Sequence, residues 1–428
     1  MLFRNYLIIP ILFSTLNYGQ GIINGFGLGH FNSAQGSISA GQSLNKILPA
    51  FQNGVALSNP ATWPYLKFTH LSISYSAIKN SIPVPNEYSG LSSGYWIIPI
   101  KDRAAVGFSI SPYSNQNVAI TDTTITKMII FEDTLSFQRE YDRSGGITVF
   151  KMGSGMSLNK KISLGANLHL LFGSSRQNES MLMNGSASWM SGAVIQTSRM
   201  RYSGSFLQGF FSIYPSNSTS IMLAIKYPIK PLDGLYKQYF LFYDSNDNGY
   251  HDSYQFDFPH PADVESEKDV RLKGIHSPIE YMVGLDKKIT PRTNVMVELL
   301  SFKEKGRLPL ELNLGFNDFI HSSNSISIGL IKFPDDLSIS WIDKFTLRSG
   351  INYRNQKLKF SNISIIEMGY SLGIGFKFGA VGNQIDFNYY VGSREYSKSY
   401  DLEIIHQLQA GISLGDIWFV KRRQKRNG

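Results

Sequence analysis

The chain contains no cysteine. That excludes disulfide staples, thiolate metal centres, a catalytic thiol and an acylated lipoprotein anchor. Charge is also scarce, at 17% of residues against about 25% in an ordinary soluble domain. No stretch reaches the roughly 18 consecutive apolar residues that a membrane-spanning helix needs. What is abundant is glycine, with 38 residues among 428, and aromatic side chains, at 13%. With 42% hydrophobic residues, this is the opposite of a disordered chain.

The net charge of +9 is unevenly placed. Lys421, Arg422, Arg423, Lys425 and Arg426 supply five of the positive charges and Arg4 one more, which leaves +3 for the rest. No basic stripe with interleaved aromatics runs through the body, so nucleic acid is not an expected partner. Residues 1–19 have the layout of a secretory signal peptide. Arg4 precedes the apolar stretch Tyr6–Phe13, and small and polar residues follow.

The body alternates with period two. Leu71, Ile73, Tyr75 and Ala77 oppose Ser72, Ser74 and Ser76, and Tyr370, Leu372, Ile374, Phe376 and Phe378 oppose Ser371, Gly373, Gly375, Lys377 and Gly379. Side chains on a strand point alternately to its two faces, so each stretch is a two-sided strand. With their flanks these stretches run about 8–12 residues, the length of a tilted transmembrane strand; strands of a soluble sandwich average about 5–6. One face is large and apolar, the other small or polar. This predicts an all-β fold, a transmembrane antiparallel β-barrel over residues 67–418 in the outer membrane of a Gram-negative bacterium, with lipid outside. Trp63, Trp96, Tyr113, Tyr214, Tyr227, Trp341, Tyr353 and Trp418 lie near strand ends and are expected to form the interfacial girdles.

Fifteen stretches alternate clearly, including 309–317, but bacterial single-chain barrels have even strand numbers. Fourteen strands are therefore expected, with twelve to sixteen open. The stretches 116–141 and 179–203 read as extra hairpins or extended loops, and Pro228–Ser277 as a long surface loop. Ile100–Arg103, Asn159–Lys161, Pro215–Ser218 and Lys288–Arg292 are short turns, expected at the periplasmic end.

Residues 20–66 do not alternate and are rich in Gly, Ser and Asn. They read either as a plug inside the barrel, where irregular backbone is tolerated at membrane depth, or as a loose periplasmic arm. Residues 419–428 form a basic tail, read either as a contact with anionic head groups or periplasmic partners or as a solvated extension.

Asp244, Asn246, Asn248, Gly249 and Asp252 match the first half of a calcium loop, with oxygen ligands at alternate positions and a glycine turn. The twelfth position is Gln255 rather than a bidentate Glu. A structural calcium on Asp244, Asn246, Asn248 and Asp252 is thus one reading and a plain turn the other; no other cofactor is expected. No enzyme site emerges. The eight histidines are scattered, and Gly153-Ser154-Gly155 lacks the spacing of a nucleophile elbow. It reads instead as small residues on the inner face of a strand.

Gly25-Phe26-Gly27-Leu28-Gly29, the Ser58-Asn59-Pro60-Ala61 motif before the first strand, Leu347–Tyr353 and Tyr370–Gly379 together resemble the FadL-like family of outer-membrane transporters of hydrophobic compounds. The ending Trp418-Phe419-Val420-Lys421-Arg422 resembles FadL-like barrels of the Bacteroidetes. Where many members continue the motif with Gly, this chain has Thr62-Trp63. The resemblance implies passive uptake of hydrophobic small molecules such as long-chain fatty acids, with an N-terminal plug. Asn59, Pro60 and Ala61 are the expected hinge, since Pro fixes its backbone and Asn bonds neighbouring amides. The implied partners are a hydrophobic small-molecule ligand, outer-membrane lipid and the barrel assembly machinery. The alternative is a barrel that serves as scaffold or shuttle in protein secretion.

Overall fold

The computed structural model describes residues 22–31, 36–43, 46–80, 86–100, 103–122, 125–130, 133–184, 192–242, 251–252, 257–258, 269–309, 312, 318–335, 338, 340–378, 383–396 and 402–416. Fourteen strands form the wall. They are β1 (Thr69–Asn80), β2 (Asn86–Ile100), β3 (Ala104–Asn115), β4 (Asp133–Asn159), β5 (Ile162–Asn184), β6 (Gly192–Ser216) and β7 (Thr219–Phe242), followed by β8 (Pro278–Thr290), β9 (Thr293–Glu304), β10 (Ile320–Lys332), β11 (Phe345–Leu358), β12 (Ser364–Phe378), β13 (Asn383–Tyr396) and β14 (Glu403–Asp416). Each pairs antiparallel with its neighbour in sequence. The last returns to the first, with Thr69 opposite Asp416 and Asn80 opposite Ile405, and closes the cylinder. The chain is an outer-membrane β-barrel.

The alternation places side chains as the sequence implies. Leu71, Ile73 and Tyr75 are exposed on the outside, while Ser72, Ser74 and Ser76 are buried inside. Tyr370, Leu372, Ile374 and Phe376 face out around buried Ser371. The exposed apolar residues continue round the wall through Leu164, Leu223, Val283, Leu299 and Ile328, which makes the lipid-facing band.

Wall height is uneven. β4 to β7 run 23–27 residues, about 80 Å at ~3.3 Å per residue, far beyond an apolar band ~25 Å tall. Residues 179–184 and 192–203 are therefore continued wall. Within 116–141, the short strands Val118–Thr121 and Thr126–Ile130 pair with the upper part of β4. The short turns that the sequence marks between β2 and β3, β4 and β5, β6 and β7, and β8 and β9 all lie at the opposite end, together with the start of β1 and the end of β14.

Three expectations are corrected. Among the described residues no wall strand falls between β9 and β10, which pair directly with each other; of the expected strand 309–317, residues 310–311 and 313–317 lie outside the described residues. Of that stretch Leu312 is described as buried, and its carbonyl accepts from Arg143 Nη1 at 3.2 Å. The start of Pro228–Ser277 is wall rather than loop: β7 runs on to Phe242, with Val270–His276 paired back onto it. Register shifts beside Pro228 and Lys230 absorb the missing proline N–H. Finally, Trp96, Tyr227, Trp341 and Tyr353 are exposed as girdle residues should be, but Trp63 and Tyr113 are buried in the interior and Tyr214 packs against Tyr65. Trp418 lies outside the described residues. Proximity to a strand end fixes height on the wall, not face.

On the long-loop side Asp318, buried, fastens the β11–β12 turn. Its carboxylate accepts from the backbone N–H groups of Phe319, Lys359, Phe360 and Ser361 at 2.8–3.0 Å. Burial alone would raise this carboxyl, but the bonds from Ser361 and the backbone N–H groups prevail and hold it below the usual carboxylate range. The unfolded chain then takes up the proton more readily than the folded one, so this stabilisation is complete above the unfolded carboxyl pKa of about 3.9 and is lost as pH falls through the lowered folded value. Protection factors for hydrogen exchange at amides 359–361, taken against the intrinsic rate at each pH, are expected to fall on acidification in wild type and to be low throughout in Asp318→Ala. A second test concerns the lipid band. Ile328→Arg, with Val297 and Ile351 as cross-strand neighbours, is expected to cost about 2–4 kcal/mol in reversible denaturant unfolding from lipid vesicles.

The luminal segment and a candidate binding chamber

The described residues of 22–66 carry apolar side chains that pack against those of the wall's inner face. All four buried clusters join this segment to the wall: Leu28 with Tyr113 and Phe206, Ile47 and Leu48 with Phe210 and Met222, Ile38 and Trp63 with Tyr95 and Ile97, and Ile23 and Phe26 with Phe302 and Tyr396. Polar inner-face groups meet its backbone. Ser37 N–H donates to Ser74 Oγ (2.8 Å) on β1, Ser43 N–H to Ser371 Oγ (2.7 Å) on β12, and Asn388 Nδ2 on β13 donates to the Ser37 carbonyl. Glu298 on β9 accepts from Lys46 and Ile47 N–H at 2.8 and 2.9 Å.

Near the outer end the guanidinium of Arg143, wholly buried, donates to the carbonyls of Asn24, Gly27, Gln116 and Leu312. Its hydrogen-bond partners are all backbone oxygens, so it acts as a four-way clamp rather than as half of an ion pair.

Asn59, Pro60 and Ala61 lie together at the start of a 3₁₀ turn, Pro60–Tyr65. Asn59 is fully buried; its Oδ1 accepts from Ala61 N–H (3.1 Å) and its Nδ2 donates to the Ile47 carbonyl (3.0 Å). This is a side-chain cap with proline in the first turn, where its missing N–H costs nothing. The turn rests in a notch of paired glycines. Gly155 and Gly165 face each other across β4 and β5, and a Cβ on Gly155 would meet Pro60 O at 1.8 Å. Gly107 and Gly153 pair across β3 and β4 beneath the Trp63 ring. Thus Gly153 and Gly155 are inner-face small residues, as the sequence suggests, while Ser154 between them faces out.

Of the calcium reading, Asp244, Asn246 and Asn248 lie outside the described residues. Asp252 falls in the two-residue strand His251–Asp252, and its side chain is outside the description. Among the described residues no cluster of three or more metal-ligating side chains occurs. The signal segment and the basic tail likewise lie outside.

Between the segment and the wall is a chamber of about 100 Å³. Its lining mixes the apolar side chains of Phe31, Phe210, Met282, Leu300 and Phe302 with the cations Lys46, Lys151, Lys226 and Arg354 and the single acid Glu280. Lys226 and Glu280 are direct cross-strand partners on β7 and β8 and form a buried ion pair. The Lys226 ammonium also lies 5.2 Å from the Tyr113 ring centre and 5.7 Å from that of Phe206. Above it, buried His276 joins Glu304 through Nδ1 and the Tyr113 hydroxyl through Nε2 (2.7 Å).

Sequence reading located the Asn-Pro-Ala turn but missed its glycine notch, the Arg143 clamp and the charged chamber wall. One signal was present. Lys226, Glu298, Arg348 and Arg394 all fall at inner-face positions of alternating strands, where a charge at membrane depth marks a function or an ion partner.

The structure is similar to solved outer-membrane channels. It matches the CymD monoaromatic hydrocarbon channel at 12% identity and a TM-score of 0.54, covering 93% of this chain and 99% of that one. A Pseudomonas aeruginosa FadL homologue matches at 11% and 0.53, covering 91% and 98%. The Ralstonia pickettii toluene transporter TbuX matches at 12% and 0.52, covering 90% and 98%. At these identities the likeness is one of fold, the FadL-like barrel. No curated protein matches the sequence.

A test of the notch follows from its geometry. Gly155→Ala is expected to lift Pro60 and Ala61 off β4 and expose the 46–66 backbone to protease, while the barrel keeps its heat-modifiable gel migration. Gly209→Ala, whose Cβ would meet nothing closer than 4.0 Å, is the control expected to leave proteolysis unchanged. A family model described as BamG matches residues 24–425, nearly the whole chain, and the protein therefore belongs to the BamG family.

Proposed function

We propose that this barrel takes up hydrophobic small molecules that carry an anionic head, such as long-chain fatty acids, and passes them across the outer membrane without catalysis. Residues 22–66 act as its plug and Asn59-Pro60-Ala61 as the hinge. The observation that carries the reading is the mixed lining of the chamber, where aromatic and aliphatic side chains stand among a surplus of cations over acids. Tail burial contributes about 0.8 kcal/mol per methylene, and a carboxylate meets charge-assisted donors. The fold shared with channels described for monoaromatic hydrocarbons and toluene supports hydrophobic cargo in general.

The chamber is smaller than the ~150 Å³ that holds a benzene ring in an engineered cavity. A long chain therefore requires the segment to shift, and the capped turn in its glycine notch is where the shift starts. Purified protein is expected to bind fluorescent palmitate saturably, and Lys151→Met to weaken that binding about tenfold with little effect on the corresponding alcohol. Absence of saturable binding by the folded wild type would overturn the reading.

The family match favours a second reading, a scaffold or shuttle in protein secretion that works beside the barrel assembly machinery, to which the name BamG points. Mild detergent extraction separates the two. A stable stoichiometric protein partner together with no palmitate binding selects the second.

A further inference from the structure

The tall side of the wall carries a group of cations that neither reading uses. On its outer face Arg176 of β5 stands directly opposite Arg199 of β6, which stands directly opposite Lys237 of β7. Arg201, two residues along β6, lies opposite Ser174 and Leu235. All four side chains are exposed. They surround a groove of about 290 Å³ whose single acidic neighbour is Asp269. Nearby Asp233 is already engaged by Arg271 (3.5 Å) and by the Gly274 N–H (3.0 Å). Among the described residues none of the four cations forms an ion pair. Like charges directly opposite on neighbouring strands destabilise a sheet, so three in one row favour an anion that bridges them.

Height and surroundings identify that anion. Phe172, exposed to lipid, lies four residues before Arg176 on the same face of β5, about 13 Å along the strand. With a strand tilt of roughly 40°, Arg176 stands ~10 Å above it, just past the hydrocarbon and at head-group level. Below the cations the outer face is apolar, with Leu170 and Phe172 on β5, Leu207 on β6, and Tyr227 and Ile229 on β7. A ligand that fills both parts has acyl chains below and phosphate above. Guanidinium groups match phosphate in paired hydrogen bonds.

We propose that Arg176, Arg199, Arg201 and Lys237 form a binding site for the phosphorylated head group of an outer-leaflet glycolipid, whose acyl chains lie against the apolar band beneath. The site is on the outside of the wall, independent of the lumen and of either functional reading.

The test uses the full-length protein in detergent, with bisphosphorylated lipid A as probe and native mass spectrometry as readout. Wild type is expected to retain the lipid in a defined ratio. The double variant Arg199→Gln/Arg201→Gln is expected to bind it about tenfold or more weakly, with an unchanged or higher melting temperature because the like-charge row is relieved. Arg199→Lys is expected to retain most of the binding. Lipid A stripped of its phosphates should bind like the variant, and inorganic phosphate should not displace the intact lipid. Equal retention by wild type and double variant would overturn the proposal. So would equal binding of the phosphate-free lipid, displacement by inorganic phosphate, or occupation of the patch by an acidic polypeptide in its place.

Discussion

Every peptide group in the wall must find its partner within the wall, because lipid offers none. The closed antiparallel ladder is the answer to that constraint, and the other features depend on it. Closure removes the sheet edges. Alternation then assigns every second side chain to lipid and every other one to the lumen, and β14 meeting β1 makes both assignments continuous around the cylinder.

The result reverses the usual arrangement of a folded protein. A continuous band of large apolar side chains points outward, while the inner face mixes serine, glycine and charge with apolar groups such as Ile97, Phe206 and Met222. The described residues of 22–66 cover those apolar groups, and all four buried clusters are made jointly by this segment and the wall. Specificity comes from polar groups in fixed places: Glu298 holding two successive amides, Ser74 and Ser371 meeting the backbone, and Arg143 collecting four carbonyls. Separate ion pairs, Arg348 with Asp386 and Arg394 with Glu367 and Glu403, are buried on the inner face of the closing strands. Such pairs contribute little net stability but are costly to break singly, because the survivor is left charged and unpaired.

Much of this was legible in the residues. The serine row of β1 and the Tyr370–Phe378 stretch give both faces directly, and the requirement of an even count narrows fifteen alternating stretches to an expectation of fourteen with twelve to sixteen open, of which the structure has fourteen. Other features were not legible, for definite reasons. In sequence Leu310 to Phe316 alternate as well as any wall strand, yet β9 pairs directly with β10; period two records two-sidedness and not a place in the ladder. Pro228 looked like a loop because proline lacks a ladder donor, yet paired register shifts carry β7 past it. Trp63 and Tyr113 share strand-end positions with the girdle residues but face the other way. The Asn59 cap was readable locally. The notch that receives it was not, because Gly155 and Gly165 become one surface only through a pairing between strands.

The position of the seam has a consequence for biogenesis. Ser37 touches β1 through Ser74 and β13 through Asn388, so the luminal filling spans the join between the beginning and the end of the cylinder. The filling is made first in the chain and β14 last. Pairing of β14 with β1 brings the two anchor points of Ser37 within reach of each other, so closure of the cylinder and packing of its interior favour one another.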